Sequence, residues 1–200
     1  VKIPILETLR LYKNKKMNKK TPNKIIIEGK PKYIKLGDDY NFFSIFKKIE
    51  KNYKNCFLFE SLGEESNISR FHIIGFDPKY IISSDNEKEL IITDVINNQE
   101  EKYFCKNPYF TLRDIIPQNI ISRKYAGGLV GFISYDSINF FEDNLYIKKN
   151  ADFESFKFGV YLDGLIFDQM TGEIFYYYYQ KNQIENLKDI LNKKDITDDY

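Results

Sequence analysis

The chain has 200 residues, enough for one domain of ordinary size with a sizeable core. It is 42% hydrophobic and 30% charged, a globular rather than a disordered balance. Its 30 basic and 29 acidic residues leave a net charge of +1, which argues against a general nucleic-acid or anionic-membrane binder.

Two cysteines, Cys56 and Cys105, lie far apart without CxxC spacing. That pattern fits two reduced thiols in a cytoplasmic protein rather than a disulfide framework or a zinc site. No apolar run approaches the about 18 residues of a membrane span. The start, VKIPILETLRLYKNKKMNKK, puts its apolar part before its basic part, the reverse of a signal peptide.

Residues 1–23 read as a solvated, mobile segment, with KNKKMNKK at 13–20 as its basic core. KIIIEGKPKYIKL then predicts two short extended pieces around Gly29. Phe42, Ile45, Phe46, Ile49 and Tyr53 recur at helical spacing with lysines between them, and Asn41 suits the N-cap. KYIISS and ELIITDV, split by DNEK, predict a hairpin, and EEKYFC a further strand. Asn107-Pro108 predicts the start of a short helix ending at Ile116. AGGLVGFISYD (126–136) reads as a buried strand whose glycines serve close sheet packing. FKFGVYLDGLIFDQ and GEIFYYYY predict a long hairpin around Met170-Thr171-Gly172, its tyrosine run covered on both faces. Asn182 and Glu185 have capping-box spacing before a last helix with Ile184, Leu187, Ile190 and Leu191 on one side. Many strands, about three helices and no βαβ alternation predict an α+β domain over 24–200, built on a mainly antiparallel sheet.

No HExxH, P-loop, GxGxxG or GxSxG motif is present, so no catalytic and no metal residue is assigned. The informative stretch is FLFESLGEESNISRFHIIGFDP (57–78). An apolar strand ends at Glu60-Ser61, and the next begins at Arg70-Phe71-His72. A carboxylate and a hydroxyl at a strand end can orient a ligand ammonium group, at roughly 1.5–3 kcal/mol for a charged hydrogen bond. Arg70 would then answer the ligand's carboxylate. The same residues also allow a plain Glu60–Arg70 ion pair that stabilises the loop. Glu64-Glu65, adjacent in that polar loop, read as solvated.

Four stretches, in order, resemble the N-terminal half of anthranilate synthase component I. FLFESLGEESNISRFHIIGFDP is similar to its F-L-L/F-E-S … R-Y/F-S-F/V-I-G-x-x-P signature. NPYFTLRDII is similar to DPLxxLRxLL, and AGGLVGFISYDSINFFE to GGxVGYxxYDxxRxFE. FGVYLDGLIFDQMTGEIFYYYY resembles the hairpin that follows. The agreement runs from about Asp39 to Tyr179. Ser69-Arg70-Phe71 is also similar to the sister family, aminodeoxychorismate synthase component I of folate synthesis.

The resemblance implies a regulatory and scaffolding part of a chorismate-using enzyme. The whole enzyme converts chorismate and glutamine-derived ammonia to anthranilate and pyruvate, in tryptophan biosynthesis. Chorismate and Mg2+ would bind a C-terminal catalytic domain absent from this sequence, so no cofactor is expected here. The resemblance places a tryptophan effector pocket on Glu60, Ser61, Arg70, Phe71 and His72. The family more often has Tyr-Ser where Phe71-His72 stand. Expected partners are the catalytic domain and a glutamine amidotransferase subunit (component II). Outside this class stand two other readings, a stand-alone amino-acid-binding module and a structural interaction domain.

Overall fold

A computed structural model describes residues 21–37, 40–61, 69–86, 88–116, 125, 127–142 and 144–193. Its strands are β1 (Lys32–Lys35), β2 (Cys56–Phe59), β3 (Phe71–Phe76), β4 (Tyr80–Asn86), β5 (Glu89–Asp94), β6 (Gln99–Phe104), β7 (Gly128–Ile133), β8 (Phe156–Tyr161), β9 (Asp163–Asp168) and β10 (Glu173–Tyr178). The helices are α1 (Phe42–Asn52), α2 (Pro108–Ile115) and α3 (Ile184–Asn192), with a 3-10 turn at Tyr135–Phe140. The expected α+β class with antiparallel pairing holds.

The strands divide into two five-stranded sheets, ordered β1-β10-β9-β3-β2 and β6-β5-β4-β8-β7. The division falls inside one apolar run. FKFGVY lies in the second sheet and DGLIFD in the first, so the chain changes sheets at the buried Leu162. The expected long hairpin is therefore β9 and β10 alone, in register from Glu173↔Asp168 to Tyr178↔Asp163.

Each sheet packs its own helices. α1 contributes Phe42, Ile45 and Ile49, and α3 contributes Ile184, Leu187 and Leu191. They bury Ile74, Leu165, Ile174 and Tyr176 of the first sheet. Each such side chain, fully buried, adds about 1.5–3 kcal/mol of transfer free energy before entropy is counted. α2 sends Leu112 and Ile115 into a second core with Ile82, Leu90, Tyr103, Phe156 and Val160. Strand β10 lies between β1 and β9, and Tyr176, Tyr177 and Tyr179 are all buried, as the aromatic run predicts.

The caps follow the asparagines. Asn41 Oδ1 accepts from the Ser44 amide at 2.9 Å. Asn107 Oδ1 accepts from Tyr109 and Phe110 amides at 3.0 and 3.2 Å, with Pro108 as first helical residue. Asn182 Oδ1 accepts from the Ile184 amide at 3.0 Å, while Glu185 turns to Lys188 at 3.0 Å.

Two local expectations are corrected. The piece before Gly29 is not a strand; Ile25 donates its amide to the Ile115 carbonyl at 2.8 Å and so joins α2 instead. The segment expected as a buried strand is an edge, β7, whose end is open: Phe132 is 40% and Ile133 46% exposed. Residues 1–20 of the expected mobile segment lie outside the described residues.

Candidate functional site

Three strand ends meet where the sequence places its polar groups. β2 and β3 pair antiparallel, Phe59 opposite Ile73. Glu60 therefore leaves β2 beside the start of β3. On its other side β3 pairs with β9, with Phe71 opposite Asp168 and His72 opposite Phe167. The connecting loop, residues 62–68 with Glu64 and Glu65, lies outside the described residues.

His72 is held on the side that faces α1. Its ring meets Phe42 edge-on at 6.1 Å and Phe167 at 5.5 Å, and Phe42 stacks on Phe167 at 5.7 Å. His72 Nδ1 lies 3.7 Å from Glu60 Oε1, an ion-pair distance once the ring is protonated but too long for a hydrogen bond. On the other side the Gln169 amide nitrogen meets His72 Nε2. With that N–H donating, Nε2 accepts and the ring proton of the neutral tautomer sits on Nδ1, toward Glu60. The imidazole is thus clasped between a carboxylate and an amide, with two phenyl rings walling its sides.

Arg70 is engaged elsewhere. Its Nε lies 2.9 Å from Asp168 Oδ1, and its Nη2 lies 2.6 Å from Oδ2. This two-point fork is the strong geometry for a guanidinium and a carboxylate. Asp168 is only 6% exposed. Arg70 holds its carboxyl below the usual aspartate range, and the Met170 amide at 3.1 Å assists. The Arg70 guanidinium also stacks over Phe71, 4.9 Å from the ring centre.

The predicted residues are therefore neighbours that fall into two groups. Cross-strand partners share a face and successive residues do not, so Phe71 with Asp168 and His72 with Phe167 lie on opposite faces. Glu60 meets His72, which packs against Phe42 and Phe167, while Arg70, just before β3, reaches Asp168 and stacks over Phe71. Ser61, half-buried, follows Glu60 in the chain. The alternative Glu60–Arg70 pair is replaced by two others, Glu60 with His72 and Arg70 with Asp168.

Asp168 and Gln169 are the residues that the sequence reading missed. They are 98 and 97 positions from their partners Arg70 and His72. A signal was present: Phe167-Asp168-Gln169 ends an apolar run on two polar groups, as Phe59-Glu60-Ser61 does. Among the described residues no three His, Cys, Asp or Glu side chains converge as metal ligands would. The set gathered here is a poor match for Mg2+, because Asp168 is bound by Arg70 and the remaining carboxylate, Glu60, faces an imidazole.

No protein-family model matches the chain. It is 40% identical over 172 residues to anthranilate synthase component 1 of Leptospira biflexa, covering 85% of this chain and 36% of that protein. It is 34% identical over 149 residues to the protein of the same name from Methanothermobacter marburgensis, covering 74% of this chain and 31% of the relative. A crystal structure of anthranilate synthase component I from Streptococcus pneumoniae TIGR4 matches 66% of this chain and 30% of its own, at 26% identity and a TM-score of 0.46. The chain spans about a third of the length of the curated relatives it matches. Over that third, the chain belongs to the anthranilate synthase component I family.

Proposed function

We propose that this chain is the effector-sensing and scaffolding part of an anthranilate synthase component I. Together with the remaining two-thirds, it would convert chorismate and ammonia to anthranilate and pyruvate, in the cytoplasm. A glutamine amidotransferase subunit would supply the ammonia, and the remaining two-thirds would hold Mg2+ and chorismate. The observation that carries the family reading is 40% identity sustained over 85% of the chain.

The effector reading is supported by the meeting of Glu60 with His72, and of Arg70 with Phe71, at one set of strand ends. An amino-acid effector needs an anion for its ammonium group, and Glu60 is that anion. Its 3.7 Å separation from His72 leaves the carboxylate without a tight bond from that partner. Arg70 is less open than the sequence implies, since Nε and Nη2 are bound to Asp168. Its role toward a ligand carboxylate falls to Nη1, the nitrogen outside that fork. An effector bound here would couple to the reaction only by favouring one global state, typically by about 1–3 kcal/mol.

The test joins this chain to the complementary two-thirds of the Leptospira biflexa relative. The joined polypeptide is expected to form anthranilate from chorismate and ammonia, and L-tryptophan to inhibit it. Glu60→Gln is expected to raise the inhibiting concentration about tenfold, the loss of one charged contact. An aminodeoxychorismate product would move the chain to the sister activity. Activity without tryptophan inhibition, or inhibition untouched by Glu60→Gln, would remove the effector pocket.

A further inference from the structure

Among the described residues, three buried side-chain polar atoms have no hydrogen-bond partner, and all three are tyrosine hydroxyls: Tyr125, Tyr177 and Tyr179. They belong to one place in the fold. Tyr177 is fully buried and Tyr179 nearly so. The Tyr125 ring meets the Tyr177 ring edge-on at 5.7 Å. The Tyr125 and Tyr177 hydroxyls act on each other's ionisation, yet they do not reach hydrogen-bond geometry.

That place is the junction of the two sheets. Tyr176 of β10 packs in the core of the first sheet, and Tyr179, three residues on, packs in the core of the second. Two glycines let the chain close around Tyr177. At Gly127, before β7, a Cβ would stand 2.2 Å from the Tyr161 carbonyl oxygen and 3.2 Å from the Tyr177 ring. At Gly164 of β9 a Cβ would stand 2.6 Å from the Tyr177 hydroxyl. The ring is thus held between β9 and the segment that enters β7.

Neighbouring tyrosines do find partners. Tyr33, opposite Tyr177 on β1, donates its hydroxyl to the Tyr125 carbonyl at 3.1 Å. Tyr176 donates to Asp163 at 3.1 Å. Phenylalanine supplies the same ring without the hydroxyl, and Phe76 and Phe156 are fully buried in these cores. A buried hydroxyl left alone is a net cost against phenylalanine. Three in one place point to a partner that they share.

The chemistry of that partner is restricted. Burial pushes Tyr125 and Tyr179 up to about 12 and Tyr177 well above its usual value, so all three stay neutral at pH 7 and can both donate and accept. The groups that act on them are other tyrosines and Asp163, with no lysine or arginine among them. An anion would sit near a carboxylate without a countercharge. A cation would find Asp163 already engaged by Tyr176 and Gln183. Water carries no charge and matches groups that both give and take hydrogen bonds.

We propose that the Tyr125, Tyr177 and Tyr179 hydroxyls form an internal water site that ties the two sheets together at their junction. Water held there bridges the segment before β7 to β10 and its end. Buried waters of this kind make about three hydrogen bonds each and belong to the fold. The site needs this chain alone and is independent of the effector and family readings.

The test uses the chain as it stands. Water-to-protein NMR cross-relaxation on the wild type is expected to show long-lived water beside the rings of Tyr125, Tyr177 and Tyr179. Tyr125→Phe, Tyr177→Phe and Tyr179→Phe are then compared by urea unfolding. Each is expected to lower the folding equilibrium constant roughly twofold to tenfold. Tyr125→Phe and Tyr177→Phe combined should lose less than the product of the two, because they share water. Stability unchanged or raised in all three variants would show hydroxyls without a partner and overturn the proposal. Coupling between Tyr125 and Tyr177 with no water contact, and no loss at Tyr179, would mean a direct bond between two phenols and overturn it too. Stabilisation by added formate that vanishes in Tyr177→Phe would assign the site to an anion instead. If a variant does not fold, the wild-type water contacts decide: their absence overturns the site.

Discussion

Arg70 and Asp168 join the start of β3 to the end of β9 through a two-point fork, with contacts of 2.9 Å at Oδ1 and 2.6 Å at Oδ2. The backbone repeats the link, since the Gln169 amide donates to the Arg70 carbonyl at 2.9 Å. Arg70, proposed above for a ligand pocket, holds two strand ends together.

That pair makes a prediction about acid. Asp168 has its folded pKa lowered below the ordinary 3.8, first by the hydrogen bond from Arg70. A lowered carboxyl pKa gives stability that is present above the unfolded value and lost as pH falls through the folded value. Arg70→Ala is expected to flatten this acid limb, with urea unfolding followed between about pH 2 and 5. Asp168→Ala is expected to cost roughly 1–3 kcal/mol at neutral pH, because it leaves the guanidinium and the Met170 amide without their acceptor. An acid limb unchanged in Arg70→Ala would show that the fork contributes nothing to stability.

Asp163 predicts the opposite slope. Burial raises its pKa from 3.8 to about 6, against hydrogen bonds from Gln183 and Tyr176 that lower it. Gln183 Nε2 and the Tyr176 hydroxyl each lie 3.1 Å from the carboxylate. A raised folded pKa means that the stabilising term is complete below pH 3.8 and is lost as pH rises through about 6. The wild-type chain is expected to lose on the order of 2–3 kcal/mol relative to Asp163→Asn across that window. Parallel stability curves for the two proteins between pH 4 and 7 would refute the assignment.

Asn107 has two jobs, and its removal should cost more than an ordinary cap. Its Oδ1 takes two amides of the first turn of α2, and its Nδ2 donates to the Phe140 carbonyl at 2.8 Å. Asn107→Ala is expected to cost about 1 kcal/mol for the cap and about 1 more for the orphaned carbonyl. Asn107→Asp keeps the acceptor and loses the donor, so denaturant midpoints of the two variants should separate these contributions.

What could be read from the chain was what short spacing controls. Phe42, Ile45 and Ile49 declare the buried side of α1, and the asparagines declare the caps. The two-sheet division could not be read, because strand-like residues continue from both sides of Leu162 through 156–168 and Leu162 looks like any strand residue. The site divides along the same line. Glu60 and His72 were visible because their strands are neighbours in sequence. Asp168 and Gln169 join them only because β9 happens to lie beside β3, a matter of topology that no local pattern contains. The apolar pattern of β7 reads as that of a buried strand, but its place at the sheet edge leaves Phe132 and Ile133 open, again a matter of topology.

Glycine substitutions give a ranked test of strand packing within each sheet. At Gly131 an added Cβ would meet the Lys157 carbonyl oxygen at 1.9 Å and the Phe158 Cα at 2.7 Å. At Gly164 it would meet the Ile74 carbonyl oxygen at 2.4 Å and the Tyr177 hydroxyl at 2.6 Å. The first obstacle in each case is backbone, which no rotamer change can clear, so strands must separate. At Gly29 nothing lies within 4 Å, but φ is +83°, so only the left-handed backbone is strained. Gly29→Ala is expected to cost about 1 kcal/mol. Gly131→Ala and Gly164→Ala should each cost about 3 kcal/mol, at the upper end of the overpacking range. Gly75→Ala belongs between them, because its obstacle at 2.0 Å is the Phe57 ring, a side chain able to turn aside. Urea midpoints in the order Gly29→Ala, Gly75→Ala, then Gly131→Ala and Gly164→Ala would confirm that backbone contact, more than glycine's freedom, fixes these positions.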